Sequence, residues 1–313
     1  MQTVQLGRTD LNVSRIAFGC WQLSPAFWGE IPIHPWEEAV RAAADLGVNF
    51  IDTADAYGNG HAETSLGKVF QRDGLRDRFV LATKFFWRIE ANGERFPDTT
   101  YAYILRACEA SLRRLQTDRI DLYQIHAFDP LTRPDEVACA LTDLRRQGKI
   151  RWIGVSNLNA EQMRMYERHF DVACLQPPYS LLNRKAEADE LPYCLARRIG
   201  VIAYSPLFRG LLAGRYDRTT KFTDRRAALP EFTGDRFSRI LGALDRLRPL
   251  AEGHGLTLAQ LAIRWVLTHP ALTAAIVGVK ERAHIEGIVA AADAPLPHDD
   301  WHRVARELEA ANV

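Results

Sequence analysis

Cysteine is scarce, neither sign of charge dominates, and no apolar run is long enough to cross a bilayer. The five cysteines, Cys20, Cys108, Cys139, Cys174 and Cys194, are odd in number and widely scattered, with no C-x-x-C pair. That pattern excludes a disulfide scaffold or a zinc cluster and predicts buried free thiols in a reducing compartment. Lys+Arg number 40 against 39 Asp+Glu, so nothing calls for a polyanionic partner, and nucleic acid is excluded. The N-terminal MQTVQLGRTDLNV has no basic segment followed by an apolar core, so neither a leader nor a membrane is expected, and a cytoplasmic address follows. No Pro/Gly/Ser-rich or strongly charged stretch divides the chain, which predicts one domain over residues 1–313.

Phosphate-binding glycine turns are missing too. Gly58-Asn59-Gly60 has Glu63 where a dinucleotide fingerprint needs its third glycine, and Gly67-Lys68 is preceded by Ala62 and followed by Val69 where a P-loop needs Gly and Ser/Thr. His298 and His302 share a helix face, but no further ligand accompanies them, so no metal site is expected.

What is present is an alternation of short β-branched runs with longer amphipathic stretches. Eight runs stand out: Ile16–Phe18, Phe50–Asp52, Val80–Lys84, Ile120–His126, Ile150–Ser156, Cys174–Gln176, Val201–Tyr204 and Ala275–Val277. Between the first two, Pro35 opens a helix with Glu37 and Glu38 in its first turn and Gly47 closes it. Eight strand-helix units, with strands too apolar to leave a wet face, predict a parallel sheet covered by helices, closed into a (β/α)8 TIM barrel. A β-hairpin over Val4–Val13 precedes the barrel, extra helices follow it, and a long loop rich in Arg, Thr and Gly spans Pro206–Gly234.

In such a barrel the functional residues collect at the C-terminal ends of the strands. Asp52 ends the second run, Lys84 the third and His126 the fourth, with Tyr57 on the loop after the second. Singly, each has a structural explanation: a helix cap, a surface charge, a packed ring, a core histidine. Together they form a unit in which Asp52 holds Lys84 charged, Lys84 lowers the Tyr57 pKa towards the operating pH, and His126 donates to a substrate oxygen. That unit suits proton donation to a carbonyl.

The segments FIDTADAYGNGHAE, ATKFFW, IDLYQIH and WIGVSN resemble those of the aldo-keto reductase superfamily, and the likeness spans nearly the whole chain. The resemblance implies Tyr57 as general acid, Lys84 and Asp52 as its partners and His126 as the substrate-orienting residue. It also implies a nicotinamide cofactor bound without a glycine-rich turn. Ser156, Asn157 and Gln176 would meet its carboxamide, Tyr204 its ring, and Ser205, Leu207, Gly210 and Leu211 its pyrophosphate.

The last cofactor segment departs from the family pattern. Val277 stands in place of a proline beside Gly278, and His284 and Ile288 replace residues that hold the adenosine half. Lys280 and Arg282 favour a 2′-phosphate and Glu281 opposes it, which leans towards NADP(H) and leaves NAD(H) open. Trp21, Trp28, Phe85 and Trp87 are expected to wall the substrate pocket. The implied activity is reduction of an aldehyde or ketone, of the sugar or polyol type among others, with a small-molecule carbonyl compound as the partner and the oligomeric state left open. The same site run as an alcohol or sugar dehydrogenase is the alternative within enzymes. The barrel also resembles potassium-channel β subunits, which offers a regulatory, cofactor-sensing alternative.

Overall fold

Each of the eight apolar runs becomes a strand, within one or two residues of where the sequence places it. The computed structural model describes residues 1–90 and 92–311. Its strands are β1 (Thr3–Gln5), β2 (Asn12–Ser14), β3 (Ile16–Gly19), β4 (Phe50–Asp52), β5 (Val80–Phe85), β6 (Trp87–Ile89), β7 (Arg95–Pro97), β8 (Ile120–Ile125), β9 (Ile150–Ser156), β10 (Cys174–Gln176), β11 (Gly200–Tyr204) and β12 (Ala274–Gly278). Eight of them close into a barrel in the order β10-β11-β12-β3-β4-β5-β8-β9, and every pairing in it is parallel. The fold is a (β/α)8 TIM barrel.

Alternation along the strands sends one set of side chains inward and the other towards the helices. Ala17, Phe50, Ala82, Leu122, Cys174, Ile202 and Ala274 fill the lower barrel interior. The hairpin β1–β2 plugs that end with Leu6, Leu11 and Val13, all buried. Its turn glycine, Gly7, has φ +55°, and a Cβ there would lie 2.5 Å from the Gly200 amide, so a side chain would lift the plug off the barrel. The outward set joins the helix layer in a second, larger core.

The helix expected from Pro35 runs over Ile33–Asp45, so Pro35 lies inside its first turn, where a missing N–H costs nothing. Gly47 ends it with φ +77°. The helices Gly234–Gly253 and Leu258–Thr268 lie between β11 and β12, and beyond β12 the helices Arg282–Glu286 and His298–Glu309 supply the extra C-terminal elements. Among the described residues no helix is long and apolar enough to cross a membrane, and no group of three or more His, Cys, Asp or Glu could hold a metal.

The thiols follow the sequence reading with one correction. Cys20, Cys108, Cys174 and Cys194 are buried and unpaired, whereas Cys139 is exposed on the outer face of helix Pro134–Arg146.

Besides the β1–β2 plug, a second pair of strands lies outside the barrel. β6 and β7 pair as an antiparallel hairpin standing on the rim after β5, with Trp87 opposite Pro97 and Ile89 opposite Arg95. The Asn92-Gly93 pair at its tip is a strong short-range hairpin signal and is the feature that locates it in the sequence.

Candidate active site

The strand register sets a polar layer above the apolar filling. Asp52 pairs across to Gly19 on β3, Lys84 to Gln124 on β8, and Gln176 to Ser156 on β9. From these positions Lys84 Nζ reaches both oxygens of Asp52, at 2.9 and 2.7 Å, and Gln176 Nε2 donates to Asp52 Oδ1 at 2.8 Å. Lys84 is 0% exposed and Asp52 2%, so a full ion pair sits inside the barrel.

Every proton of that ammonium has an acceptor: Asp52, the Thr53 carbonyl at 2.8 Å and the Tyr57 hydroxyl oxygen at 3.3 Å. Burial works against the charge on Lys84, but Asp52 and the Tyr57 oxygen outweigh it and hold the pKa above the usual lysine value. Lys84 therefore stays charged, and Tyr57, accepting from it, keeps its own proton to give.

Tyr57 projects from a loop wound by three successive left-handed residues, Gly58, Asn59 and Gly60, with φ of +58°, +53° and +87°. A Cβ on Gly60 would meet the Arg114 side chain at 2.6 Å. His126 stands one residue past β8, its backbone N–H held by the Phe85 carbonyl, and its ring meets Tyr57 edge-on at 6.1 Å between centroids. All four residues converge as the sequence predicts.

Their electrostatics differ from the expectation in one respect. Burial dominates at Tyr57 and pushes its pKa up to about 12, despite the Lys84 ammonium 5.0 Å from the ring centroid. Burial is the main reason the predicted lowering does not occur, and Asp52 adds to it by offsetting part of the ammonium's field. Burial also pushes His126 down to about 3, with Lys84 adding to the effect, so the imidazole is neutral. Its Nδ1 is buried without a partner, so Nε2 is the ring nitrogen left to meet a molecule in the cavity. A phenol and a neutral imidazole N–H side by side can both donate to one oxygen, and the phenol can pass its proton to it.

Above them lies a cavity of about 890 Å³. Tyr57, His126, Trp21 and Trp87 line it towards β4–β8, and Ser156, Asn157, Gln176 and Tyr204 line it across the barrel. Asn157 Nδ2 donates to the His126 carbonyl at 2.9 Å, and Tyr204 donates its hydroxyl to Asn157 Oδ1 at 2.9 Å, so this wall is one bonded unit. The cavity continues past Ser205, Leu207, Gly210 and Gly278 to Lys280, His284 and Ile288. Ser205, Phe208 and Arg209 all take positive φ, and that clustered backbone strain marks the segment as one shaped for a ligand.

Three expected site residues fall elsewhere. Phe85 is fully buried and packs on Tyr123 at 4.7 Å, because the residue after inward-facing Lys84 must face outward. Leu211 is likewise fully buried and does not line the cavity. Arg282 points to solvent and pairs with Glu286 at 2.6 Å in the i,i+4 geometry of its helix, outside the cavity.

Gln22 and Arg215 line the cavity too, and nothing in the sequence singles out either one. Gln22, 8% exposed, lies against Gly278 so closely that a Cβ there would overlap its amide, and its Oε1 is buried without a partner. Arg215 and Arg226 come from the long loop after β11, whose arginine content was the available signal. That loop crosses to the first loop, where Arg225 lies over Phe27 at 4.5 Å and Arg226 and Lys280 lie over Trp28 at 5.8 and 5.2 Å. Arg226 is held by Asp224 at 2.7 Å, while Arg215 and Lys280 pair with no carboxylate among the described residues. Burial and the neighbouring Arg226 and Arg215 lower the Lys280 pKa.

A nicotinamide dinucleotide fits this cavity. The unsatisfied Gln22 oxygen and the under-neutralised cations are features that a ligand with hydroxyls and phosphates would satisfy.

Comparison with known proteins gives concordant results. The model of the family described as "Aldo/keto reductase family" matches residues 15–309. Aldo-keto reductase YhdN of Bacillus subtilis (strain 168) is 38% identical over 293 residues, covering 92% of this chain and 88% of that protein. The NADH-specific methylglyoxal reductase of Escherichia coli (strain K12) is 30% identical, covering 96% of each chain. Among solved structures, the glycerol dehydrogenase AKR11B4 from Gluconobacter oxydans superposes with a TM-score of 0.91 at 34% identity, over 100% of this chain and 96% of that one.

Proposed function

Because this chain belongs to the aldo/keto reductase family, and so is an NAD(P)-dependent oxidoreductase acting on small carbonyl compounds, we propose that Tyr57, Lys84, Asp52 and His126 form the machinery with which it reduces an aldehyde or ketone to the alcohol. The observation that carries this reading is the Tyr57 hydroxyl, which accepts from a permanently charged lysine while its own proton faces a cavity shared with His126.

When bound, the nicotinamide supplies the hydride. Its carboxamide would be held by Ser156, Asn157 and Gln176, and Tyr204 would pack against its ring. His126 Nε2–H orients the carbonyl oxygen, Tyr57 delivers the proton to it, and the Lys84 ammonium stabilises the phenolate that remains, with Asp52 and Thr53 fixing the ammonium in place. The whole of residues 1–313 acts as one catalytic unit, and its unpaired thiols suit the cytoplasm. The direct test is loss of reduced-nicotinamide absorbance with a reactive aromatic aldehyde. Absence of turnover with either coenzyme, despite tight coenzyme binding, would favour a sensing role.

The raised pKa of Tyr57 has a directional consequence. Reduction needs the phenol protonated, and with a pKa of about 12 it remains so across the neutral range. Alcohol oxidation needs it as a base, so the oxidative kcat/KM is expected to climb with pH through pH 9 while the reductive value stays flat over the same interval. An oxidative profile that levels off below pH 8 would contradict a phenol held protonated.

NADP(H) is the cofactor we favour. Arg215, Arg226 and Lys280 crowd one end of the cavity with Asp224 as their near carboxylate, and a phosphate dianion relieves their repulsion. Replacing Lys280 with Met is expected to weaken NADPH binding by about 10- to 100-fold, the range for a charge-assisted hydrogen bond, and NADH far less. Equal losses in titrations of the two coenzymes would assign the cluster to the pyrophosphate they share and remove the argument for NADP(H).

A further inference from the structure

The cavity is short of acid. Among the described residues its only acidic lining residue is Asp52, which is committed to Lys84, whereas Arg95, Arg209, Arg215, Arg226 and Lys280 are all cationic. Four of those cations come from the segments after β11 and β12. Arg95 comes from the other side of the barrel. It belongs to the rim hairpin that follows β5, the strand that carries Lys84, and β5 is separated from β12 by β3 and β4. It therefore stands at the Tyr57 end of the cavity, away from the cations suited to coenzyme phosphate.

Arg95 is also uncommitted in charge. The hairpin's other arginine, Arg88, is held by Glu90 at 2.9 Å and Asp98 at 3.2 Å. Glu94, next to Arg95 in the chain, accepts from the Asn92 amide at 2.8 Å. Arg95 donates from Nη2 to the neutral Asn59 Oδ1 at 2.7 Å and pairs with no carboxylate among the described residues. Asn59 lies two residues beyond Tyr57, so this bond fixes the guanidinium relative to the reacting centre and leaves its other N–H groups available. A guanidinium presents several donors in a plane, a geometry suited to the two oxygens of a carboxylate or phosphate.

We propose that Arg95 is the anion-recognising residue of the substrate pocket, and that the preferred substrates are carbonyl compounds carrying a carboxylate or a phosphate. This rests on the carbonyl-reductase reading above and narrows its substrate class. The anionic group docks on Arg95, the chain between it and the carbonyl runs along Trp87 and Trp21, and the carbonyl oxygen reaches Tyr57 and His126. Like-sign repulsion excludes cationic aldehydes.

The test uses matched pairs: para-carboxybenzaldehyde against its neutral near-isostere para-nitrobenzaldehyde, and glyceraldehyde phosphate against glyceraldehyde. Wild-type enzyme is expected to favour the anionic member by about 10- to 100-fold in kcat/KM, the range of a charge-assisted hydrogen bond. Arg95→Gln is expected to erase the preference by raising KM for the anionic member far more than for the neutral one, and Arg95→Lys to retain part of it. A preference that moves in the phosphate pair alone supports the proposal and narrows the anion to phosphate. A charged-to-neutral ratio that is the same in wild type and Arg95→Gln overturns the proposal and leaves Arg95 as a latch between the hairpin and Asn59. No turnover of any member with either coenzyme overturns the reductase reading itself.

Discussion

Tyr57→Phe is expected to lower kcat for carbonyl reduction by roughly 10²- to 10⁴-fold, the usual contribution of a positioned general acid, with coenzyme affinity unchanged. The substitution removes one oxygen. That oxygen accepts from Lys84 and carries the proton facing the cavity, while the ring that meets His126 edge-on remains. The ammonium keeps Asp52 and the Thr53 carbonyl, so the buried pair is not stranded and stability should change little. Single-turnover reduction with saturating coenzyme separates chemistry from binding. Turnover surviving within a factor of about ten would move the role of donor to another group, with His126 next in line.

Lys84→Met is expected to cost about 3–5 kcal/mol of folding stability, because it leaves the Asp52 carboxylate buried without its counter-charge. The same loss removes the group that stabilises the Tyr57 phenolate, so activity falls as well. Urea denaturation measures the first effect. The informative comparison is Asp52→Leu with Lys84→Met. Removing both charges replaces an ion pair with apolar groups of similar volume, and the double variant should recover much of the stability without recovering any activity. A double variant no more stable than Lys84→Met would mean that Gln176 and Gln124, which donate to Asp52 at 2.8 and 3.4 Å, already satisfy the lone carboxylate.

Much of this was legible in the sequence because a parallel barrel ties chemistry to a simple rule: polar residues that end apolar runs share one face. Asp52, Lys84 and His126 obey it, and Tyr57 follows from the loop between them. The failures have equally definite causes. Phe85 was assigned to the pocket from its place near a strand end, although strand alternation turns it away once Lys84 faces in. Arg282 looked like a phosphate ligand on charge alone, whereas Glu286 four residues on offered the pairing it adopts. The direction of the Tyr57 pKa depends on the depth of burial and on how far Asp52 neutralises Lys84, and spacing along a chain contains neither quantity. Arg95, Arg215 and Gln22 reach the cavity from loops whose paths are set by tertiary contacts such as the one between Arg95 and Asn59.

The burial of four of the five thiols bears on the survival of the enzyme among its own proposed substrates. Aldehydes and ketones are electrophiles, and it is the thiolate, not the thiol, that they capture. Cys20 lies near the Asp52–Lys84 ion pair, yet burial and the Asp52 charge raise its pKa far above the ordinary thiol value. Burial likewise raises Cys108 and Cys194 to about 12. With those thiols held protonated, addition to a carbonyl compound is expected at Cys139 instead, exposed on the outer face of its helix and away from the barrel interior.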